Sequence, residues 1–279
     1  MMSDYSRREV EFHKMQGCGN DFILIDNRPL AVPVDDMPVL ARSLCRRTLG
    51  IGADGLIFLE SLSEPGVDYR WHFYNADGSR AEMCGNASRC AARLALELGL
   101  AGPAQTFLSD AGKIKAEVYP EGDQVKVRLT APSGLKTGLS LEIQGRVFEA
   151  HFVNTGVPHC VLLMDALEDV DVAGLGRAIR FHQLFAPAGS NVNFVRVIDR
   201  GNIAVRTYER GVEAETMACG TGAAASALVC RALGLTGDSV GARASGGERL
   251  VLDLEDGRVF LTGAAVKVFC GRLCPGALS

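Results

Sequence analysis

Two cysteines occupy matching positions in the two halves of the chain. Cys84 lies in the sequence Met-Cys-Gly-Asn and Cys219 in the sequence Ala-Cys-Gly-Thr-Gly, and an Ala/Leu-rich stretch follows each of them. These stretches end at Leu98-Gly99 and Leu233-Gly234. If two similar lobes each supply one thiol, the sulfurs can reach opposite faces of one substrate carbon. A thiolate on one side and a thiol on the other can then remove and return a proton, which inverts that carbon.

Both cysteines precede a predicted helix, over 87–98 and 223–233, because Ala and Leu favour helices. The free backbone N–H groups at a helix N-terminus carry about half a positive charge. This environment lowers the pKa of a thiol and also binds a carboxylate. The N–H groups concerned are those of Gly85, Asn86, Gly220 and Thr221. We expect them to stabilise the charge that develops on a substrate carboxylate when its α-proton leaves.

The other seven cysteines fit a structural role, because free thiols are most often small buried apolar groups. They are Cys18, Cys45, Cys90, Cys160, Cys230, Cys270 and Cys274. Nine cysteines are an odd number, in a chain too long to depend on disulfide bonds. No Cys-x-x-Cys pair occurs, which argues against structural zinc, and we expect no metal.

The composition is typical of a globular protein. The chain has 279 residues, of which 47% are hydrophobic and 22% charged, and its formal net charge is −4. This charge gives no general attraction to nucleic acid or to an anionic membrane. The first ten residues are polar, which predicts no signal peptide, and no apolar run reaches membrane-spanning length. We expect a cytoplasmic protein with a small-molecule substrate and no nucleic-acid or membrane partner.

The sequence duplication extends well beyond the two cysteines, which are 135 residues apart. A strand, a Gly-containing bend and a buried strand ending at Asp are predicted over 12–26 and again over 152–165. Turns followed by alternating strands recur at 110–118 and 245–253. These repeats predict an α/β (α+β) fold of two pseudo-symmetric β-rich lobes, each wrapped around a central helix, with the active site in the cleft between them.

The duplication also predicts the lobe boundaries. Pro132, Gly134 and Gly138 mark a break in the pattern, so we expect an N-terminal lobe over 1–132 and a C-terminal lobe over 133–265. The final strand, near 266–279, has no counterpart that we can place at the end of the first lobe. We expect it to pack back onto that lobe.

At these motifs the chain resembles diaminopimelate epimerase, and the matching segments span nearly the whole sequence in order. They are Lys14-Met15-x-Gly17-x-Gly19-Asn20-Asp21-Phe22, Gly50-Ile51-Gly52-Ala53-Asp54, Asn75-Ala76-Asp77-Gly78-Ser79, Met83-Cys84-Gly85-Asn86, Pro158-His159, Tyr208-Glu209-Arg210-Gly211 and Ala218-Cys219-Gly220-Thr221-Gly222. The resemblance implies a homodimeric isomerase that uses no cofactor and converts LL-2,6-diaminopimelate to the meso form in lysine biosynthesis.

The resemblance also implies a role for each site residue. Cys84 and Cys219 match the acid/base pair, and His159 and Glu209 match positions that tune the thiols. The substrate-binding positions are Asn20, Asn75, Asn191, Glu209 and Arg210, together with the carboxylate pocket Gly85, Asn86, Gly220 and Thr221. An Arg suits a distal carboxylate, and neutral Asn side chains can serve either a carboxylate or an ammonium group.

Other interpretations of the sequence stay open. The three asparagines flank Gly or Asp and could shape turns. Many family members carry Gln in place of Gly55 and Asn in place of Val157, so the substrate is less closely specified than the mechanism. A racemase of histidine, proline or hydroxyproline on the same frame is the main alternative. A non-catalytic amino-acid binding protein or a thiol redox protein is a further one. Pyridoxal phosphate is not expected, because none of the six lysines accompanies a recognisable phosphate loop.

Overall fold

The computed structural model describes residues 9–274. Four α-helices lie within this range: α1 (Met37–Leu44), α2 (Gly85–Glu97), α3 (Val172–Arg180) and α4 (Gly220–Ala232). The same range contains the strands β1 (Val10–Gly17), β2 (Asn20–Asp26), β3 (Gly55–Glu64), β4 (Val67–Asn75), β5 (Ala104–Ser109), β6 (Gly112–Val118), β7 (Gln124–Arg128), β8 (Ser133–Ile143), β9 (Arg146–Asn154), β10 (Pro158–Leu163), β11 (Asn191–Asp199), β12 (Asn202–Glu209), β13 (Ala214–Thr216), β14 (Ser239–Arg243), β15 (Arg249–Glu255), β16 (Arg258–Ala264) and β17 (Val266–Leu273).

The chain divides into two compact units. The first unit takes the chain up to Val127 together with the segment from Gly263 onward, and the second is Arg128–Thr262. The sequence places the lobe boundary at 132/133, five residues after this division. Gly134 and Gly138, which mark the expected break, lie inside β8, where both have positive φ and the pairing of β8 with β9 shifts register. They are irregularities within a strand.

The two units have the same succession of strand pairings. In the first unit the order is β17-β1-β2-β3-β4-β5-β6-β7, in which β2–β3 and β4–β5 are parallel and the other pairs antiparallel. In the second unit the order is β8-β9-β10-β11-β12-β14-β15-β16, and the parallel pairs are β10–β11 and β12–β14. The parallel and antiparallel pairs therefore fall in the same places in both units.

This comparison supplies the counterpart of the final strand. β17 pairs antiparallel with β1, as β8 pairs antiparallel with β9. The equivalent strand is thus C-terminal in the first unit and N-terminal in the second, so no match can be found at the end of the first repeat. Residues 275–279 of the expected final segment, and the polar residues 1–8, lie outside the described residues.

A buried helix forms the centre of each unit. α2 packs against β1, β2, β3 and β6, and every residue from Gly85 to Ala95 is buried. α4 contacts strands that include β9, β11 and β15, and it buries Gly222–Ala227. A helix that is buried on all sides needs small side chains, which explains the Ala-rich sequences after the two cysteines.

The shorter helices α1 and α3 each pack against strands of one unit. α1 buries Met37, Leu40, Ala41 and Leu44 against the apolar strands of the first unit. α3 buries Val172, Gly176 and Ile179, and a short 3-10 helix, Gln183–Phe185, follows it. Within residues 9–274 no helix is long and apolar enough to cross a membrane.

Candidate active site

Cys84 forms the N-cap of α2. Its backbone is extended, with φ −145° and ψ 127°, and its carbonyl accepts the first helical hydrogen bond, from Ser88 N at 2.8 Å. The side chain is partly buried, and it makes no side-chain capping bond to the helix. Gly85 and Asn86 follow as the first helical residues, where backbone N–H groups have no helical acceptor. The thiol and the free N–H groups therefore lie at the same helix end.

A chain of side-chain hydrogen bonds runs from α2 to the turn before β3. Arg89 Nη2 donates to Asn86 Oδ1 at 2.9 Å, and Asn86 Nδ2 donates to Asn20 Oδ1 at 2.7 Å. Asn20 Nδ2 donates in turn to Asp54 Oδ2 at 2.9 Å. The predicted residues Asn20 and Asn86 are thus in direct contact. One end of the chain is Arg89, which the sequence argument missed, and the other is Asp54, which it named only within a motif.

Asn75 ends β4 and opens a tight loop. Its backbone N and its Nδ2 both bond to Ser79, whose own N and Oγ are held by Asp77 Oδ1. The next residue, Ala76, donates its N–H to the Asp54 carbonyl at 3.0 Å. Asn75 therefore shapes a turn, as its neighbours suggest, and this turn is tied to the same aspartate that holds Asn20.

Gly55 pairs with Asn75 across β3 and β4. A Cβ atom at Gly55 would lie 2.7 Å from the Phe73 ring and 2.8 Å from the Tyr74 carbonyl oxygen. The ring of Phe73 thus occupies the space that a side chain at position 55 needs. The glycine that this chain has at position 55, where many family members carry Gln, therefore fits the local packing.

Cys219 forms the N-cap of α4 and repeats the arrangement of Cys84. Its φ and ψ are −122° and 107°, and its carbonyl accepts a hydrogen bond from Ala223 N at 2.9 Å. The sulfur lies 3.4 Å from Thr221 Oγ1, and Thr155 Oγ1 donates to the Thr221 carbonyl at 3.1 Å. Gly220 and Thr221 are the first helical residues, in the places that Gly85 and Asn86 hold in α2.

His159 lies fully buried in the second unit, with no exposed surface. Thr207 Oγ1 donates to Asn193 Oδ1 at 3.0 Å, so the Asn193 amide nitrogen is directed at His159 Nδ1, 3.1 Å away. Because Nδ1 accepts that bond, the neutral ring carries its hydrogen on Nε2. Burial, with a smaller contribution from the Arg210 charge, lowers the pKa of His159 to about 3. The ring is therefore a neutral donor, and no acceptor for Nε2 is found among residues 9–274.

Asn193 also explains why position 222, in the first turn of α4, is a glycine. A side chain at Gly222 would collide with Asn193 Oδ1. The helix that carries Cys219 is therefore seated directly on the amide that orients His159.

Glu209 and Arg210 end β12 and begin the following loop. Burial raises the pKa of Glu209, partly offset by the hydrogen bond that Thr216 Oγ1 donates to Glu209 Oε2 at 2.9 Å. Thr216 and Cys219 line the same narrow cleft. Asn191 accepts a hydrogen bond from Arg210 N at 2.8 Å and donates to the Pro158 carbonyl at 3.1 Å. Asn191 thus fixes the Arg210 backbone next to the strand that carries His159.

The predicted site residues fall into two groups, one in each unit. The first unit contains Asn20, Asn75, Cys84, Gly85 and Asn86, and the second contains His159, Asn191, Glu209, Arg210, Cys219, Gly220 and Thr221. Sequence reasoning missed Arg89, Asn193 and Thr216, and it named Asp54 only within a motif. Of these, Arg89 had a visible signal, because it is one of two arginines, with Arg93, in a helix rich in Ala and Leu. No group of residues able to hold a metal ion is found between residues 9 and 274.

Comparison with known proteins decides the family. The sequence profile of diaminopimelate epimerase matches residues 12–134 and 151–268. The diaminopimelate epimerase of Aquifex aeolicus (strain VF5) is 48% identical over 276 residues, which cover 95% of this chain and 98% of the relative. The chain belongs to the diaminopimelate epimerase family. The diaminopimelate epimerase of Archaeoglobus fulgidus is 42% identical over 275 residues, with 95% and 96% of the two chains covered. This family membership makes the protein an isomerase.

Solved structures of lower identity share the fold of this family. A phenazine biosynthesis protein of the PhzF family from Bacillus anthracis matches with a TM-score of 0.72 at 13% identity, over 95% of this chain and 99% of that one. A hydroxyproline epimerase from Agrobacterium vitis matches with a TM-score of 0.68 at 16% identity, over 96% and 93% of the two chains. At such identities the likeness concerns the fold alone, and it confirms the predicted α/β (α+β) class.

Proposed function

We propose that the protein interconverts LL-2,6-diaminopimelate and meso-diaminopimelate in lysine biosynthesis, with Cys84 and Cys219 as the acid/base pair and without pyridoxal phosphate or a metal. The observation that carries this proposal is the duplicated N-cap cysteine, present in a chain of the diaminopimelate epimerase family. Each thiol stands at the start of a buried helix, where the free N–H groups favour an anion.

The chemistry needs one thiolate and one thiol. The thiolate takes the α-proton and becomes a thiol, while the electron pair left on the α-carbon delocalises into the carboxylate. The opposite thiol then gives its proton to the other face of the carbon and becomes a thiolate. Gly85, Asn86, Gly220 and Thr221 would bind the reacting carboxylate through backbone N–H groups, and this binding would strengthen as charge develops. The reverse reaction exchanges the roles of the two sulfurs.

His159 and Glu209 have the properties of tuning residues. The Nε2–H of His159 is a buried donor that stays neutral across the physiological pH range, because its pKa lies near 3. A neutral donor stabilises a thiolate or a carboxylate by hydrogen bonding without adding a proton that titrates nearby. Glu209 is a partly buried residue whose carboxyl has a raised pKa, and the one described hydrogen bond to that carboxyl comes from Thr216. It offers an acceptor to a thiol or to an ammonium group.

The remaining polar residues suit a long substrate with two charged ends. Arg210 would bind the distal carboxylate, since a guanidinium can bond both carboxylate oxygens. Asn75 and Asn191 hold the turns that carry the site, and each keeps an amide hydrogen for the substrate. A proline-type substrate has no second charged end for Arg210. Diaminopimelate is therefore favoured over the racemase alternatives on this frame.

The expected assembly is a homodimer in the cytoplasm. β17 exposes the apolar side chains of Val268 and Phe269 on the surface of the described chain. Exposed apolar side chains of this size suit a subunit interface. We propose that this strand forms part of it. Light scattering of the wild type and of Phe269→Glu tests the assembly, and equal masses for both proteins would argue against this interface.

A substrate panel tests the proposed function. Purified protein in reducing buffer with a chelator is incubated with LL-diaminopimelate, histidine, proline and hydroxyproline, and the products are separated by chiral chromatography. We expect the meso isomer from diaminopimelate and no turnover of the other three. Inversion of proline or histidine in preference to diaminopimelate would favour the alternative racemase.

A further inference from the structure

Arg89 is a fully buried cation whose contacts are all with uncharged groups. It lies in α2 with no exposed surface. It donates to the carbonyls of Gly85 and Ala264 at 3.2 Å, to Cys18 Sγ at 3.0 Å and to Asn86 Oδ1 at 2.9 Å. No carboxylate among residues 9–274 forms an ion pair with it. Burial of an arginine without a carboxylate is unfavourable, and the mechanism described above gives this residue no role.

The hydrogen-bond chain that starts at Arg89 has only one possible direction. A guanidinium can only donate, so the atom of Asn86 that faces Arg89 must be the amide oxygen. The far end of the chain is the Asp54 carboxylate, which accepts from Asn20 and is ion-paired with Arg47 at 2.9 Å. The atom of Asn20 that faces Asp54 must therefore be the amide nitrogen. Arginine at one end and aspartate at the other fix both amides between them.

This direction decides which groups the two asparagines can offer a substrate. Asn86 Oδ1 is engaged by Arg89, and Asn20 Oδ1 is engaged by Asn86. Each amide nitrogen uses one hydrogen inside the chain and keeps a second one. The hydrogens that remain for a ligand are N–H donors, which suit a carboxylate oxygen, while each amide oxygen already has a donor within the chain of hydrogen bonds.

We propose that Arg89 is a positioning residue that makes Asn86 and Asn20 selective for a substrate carboxylate. The inference rests on the proposed function, because it takes the ligand to be an amino acid bound next to Cys84, at the start of α2. Without the buried guanidinium, Asn86 Oδ1 loses its donor and becomes an acceptor that a substrate amide or ammonium group can use. Selectivity for a carboxylate over an uncharged amide then falls.

The test compares Arg89→Met with Arg93→Met. Arg93 lies one turn later in α2, is also buried, and bonds to the carbonyls of Tyr119 and Gln124, so it is a matched buried arginine outside the chain. Calorimetry measures binding of diaminopimelate and of its monoamides, and kcat and KM are measured for diaminopimelate. For Arg89→Met we expect at least a tenfold loss of preference for the carboxylate and a raised KM. For Arg93→Met we expect the wild-type preference.

A second variant keeps the test decisive if Arg89→Met does not fold. Asn86→Asp gives Arg89 an anionic partner, so we expect a melting temperature at or above that of the wild type. The new carboxylate can neither donate to Asn20 Oδ1 nor offer an N–H group to a substrate carboxylate. We expect the carboxylate preference to fall at least tenfold. An unchanged preference in Asn86→Asp, or equal losses in the two arginine variants, would overturn the inference.

The two proposals fail in different ways. If the wild type does not invert diaminopimelate, the proposed function is wrong, and the preference is then measured by binding of whichever amino acid the panel identifies. If the wild type inverts diaminopimelate but Arg89→Met keeps the carboxylate preference, only the role of Arg89 is wrong.

Discussion

The N-termini of α2 and α4, at Cys84 and Cys219, have the same backbone arrangement but different surroundings. In both, an extended N-cap cysteine precedes a glycine and a buried helix of 13 residues. Beneath the first turn of α2 lies the buried cation Arg89. The equivalent position in α4 is Ala224, and the first turn of α4 rests on the uncharged amide of Asn193.

The comparison separates what the two repeats share from what differs between them. Both repeats keep the thiol, the free N–H groups and the strand order. The ionisable residues differ: the first unit has the cation Arg89 in its central helix, and the second has the partly buried acid Glu209 and the neutral His159. The two thiols are therefore in different electrostatic environments. We expect the two halves to respond differently to substitution, although the proposed reaction uses one sulfur from each.

Removal of either thiol should have the largest effect. Cys84→Ala and Cys219→Ala should each lower kcat for epimerisation by about 10³-fold or more, because each direction of the reaction needs both a base and an acid. Chiral chromatography of the product measures this loss.

Each helix supplies its own control for that experiment. Cys90 and Cys230 are buried in α2 and α4, where burial raises the pKa of each thiol to about 12. Cys90→Ala and Cys230→Ala should keep activity within a few-fold of the wild type. If either Cys84→Ala or Cys219→Ala also stays in that range, the two-thiol scheme is wrong.

Glu209→Gln addresses the second unit alone. Loss of this carboxyl should lower kcat by about 10²-fold, in the range of a single acid/base group. Glu215→Gln is the control, because Glu215 lies on neighbouring β13 and pairs with Arg206 at 2.7 Å. The control should lose some thermal stability and keep its kcat. Equal kcat values for the two variants would show that Glu209 has no part in the chemistry.

Arg210→Lys tests the distal end of the substrate. Lysine keeps the charge but cannot make the paired hydrogen bonds of a guanidinium, so KM should rise about tenfold with a smaller change in kcat. Arg196→Lys, at a surface pair with Glu168, should leave both constants unchanged. A fall in kcat at constant KM would place Arg210 at the reacting end instead.

The smallest effect concerns stability in acid. Folded His159 has a pKa of about 3, against 6.5 for the unfolded residue, so the unfolded chain takes up a proton between these values. Stability should therefore fall as pH decreases below 6.5, by at most about 1.4 kcal/mol per pH unit from this residue. Urea unfolding of His159→Gln should show a shallower decline than the wild type. Parallel curves would mean that the ring is protonated in the folded protein.

The sequence predicted the repeated parts of this fold well. The duplicated strands and the small-residue helices after Cys84 and Cys219 leave periodic and compositional signals that local propensity explains. The position of β17 was harder, because its equivalent β8 precedes the second repeat. The segment around Gly134 and Gly138 lies inside β8, but its sequence predicts a break between the lobes. The reason is that glycine with positive φ is usual in turns.

The sequence predicted which residues belong to the candidate site better than it predicted the contacts between them. The motifs name Asn20 and Asn86 separately, but the bond between them joins residues 66 positions apart. The partner of His159 is Asn193, which is 34 positions away on a neighbouring parallel strand. Such contacts depend on strand register and on the seating of a helix, and neither leaves a local signal in the sequence.

Hydrogen exchange in the single-cysteine variants tests the central claim most directly. LL- and meso-diaminopimelate are incubated in heavy water with Cys84→Ala or Cys219→Ala, and deuterium at the α-carbon is measured by mass spectrometry. Because each sulfur is assigned to one face, each variant should exchange the α-hydrogen of a single isomer, without inversion, and the two variants should select opposite isomers. Exchange of both isomers by one variant, or continued inversion, would contradict the account.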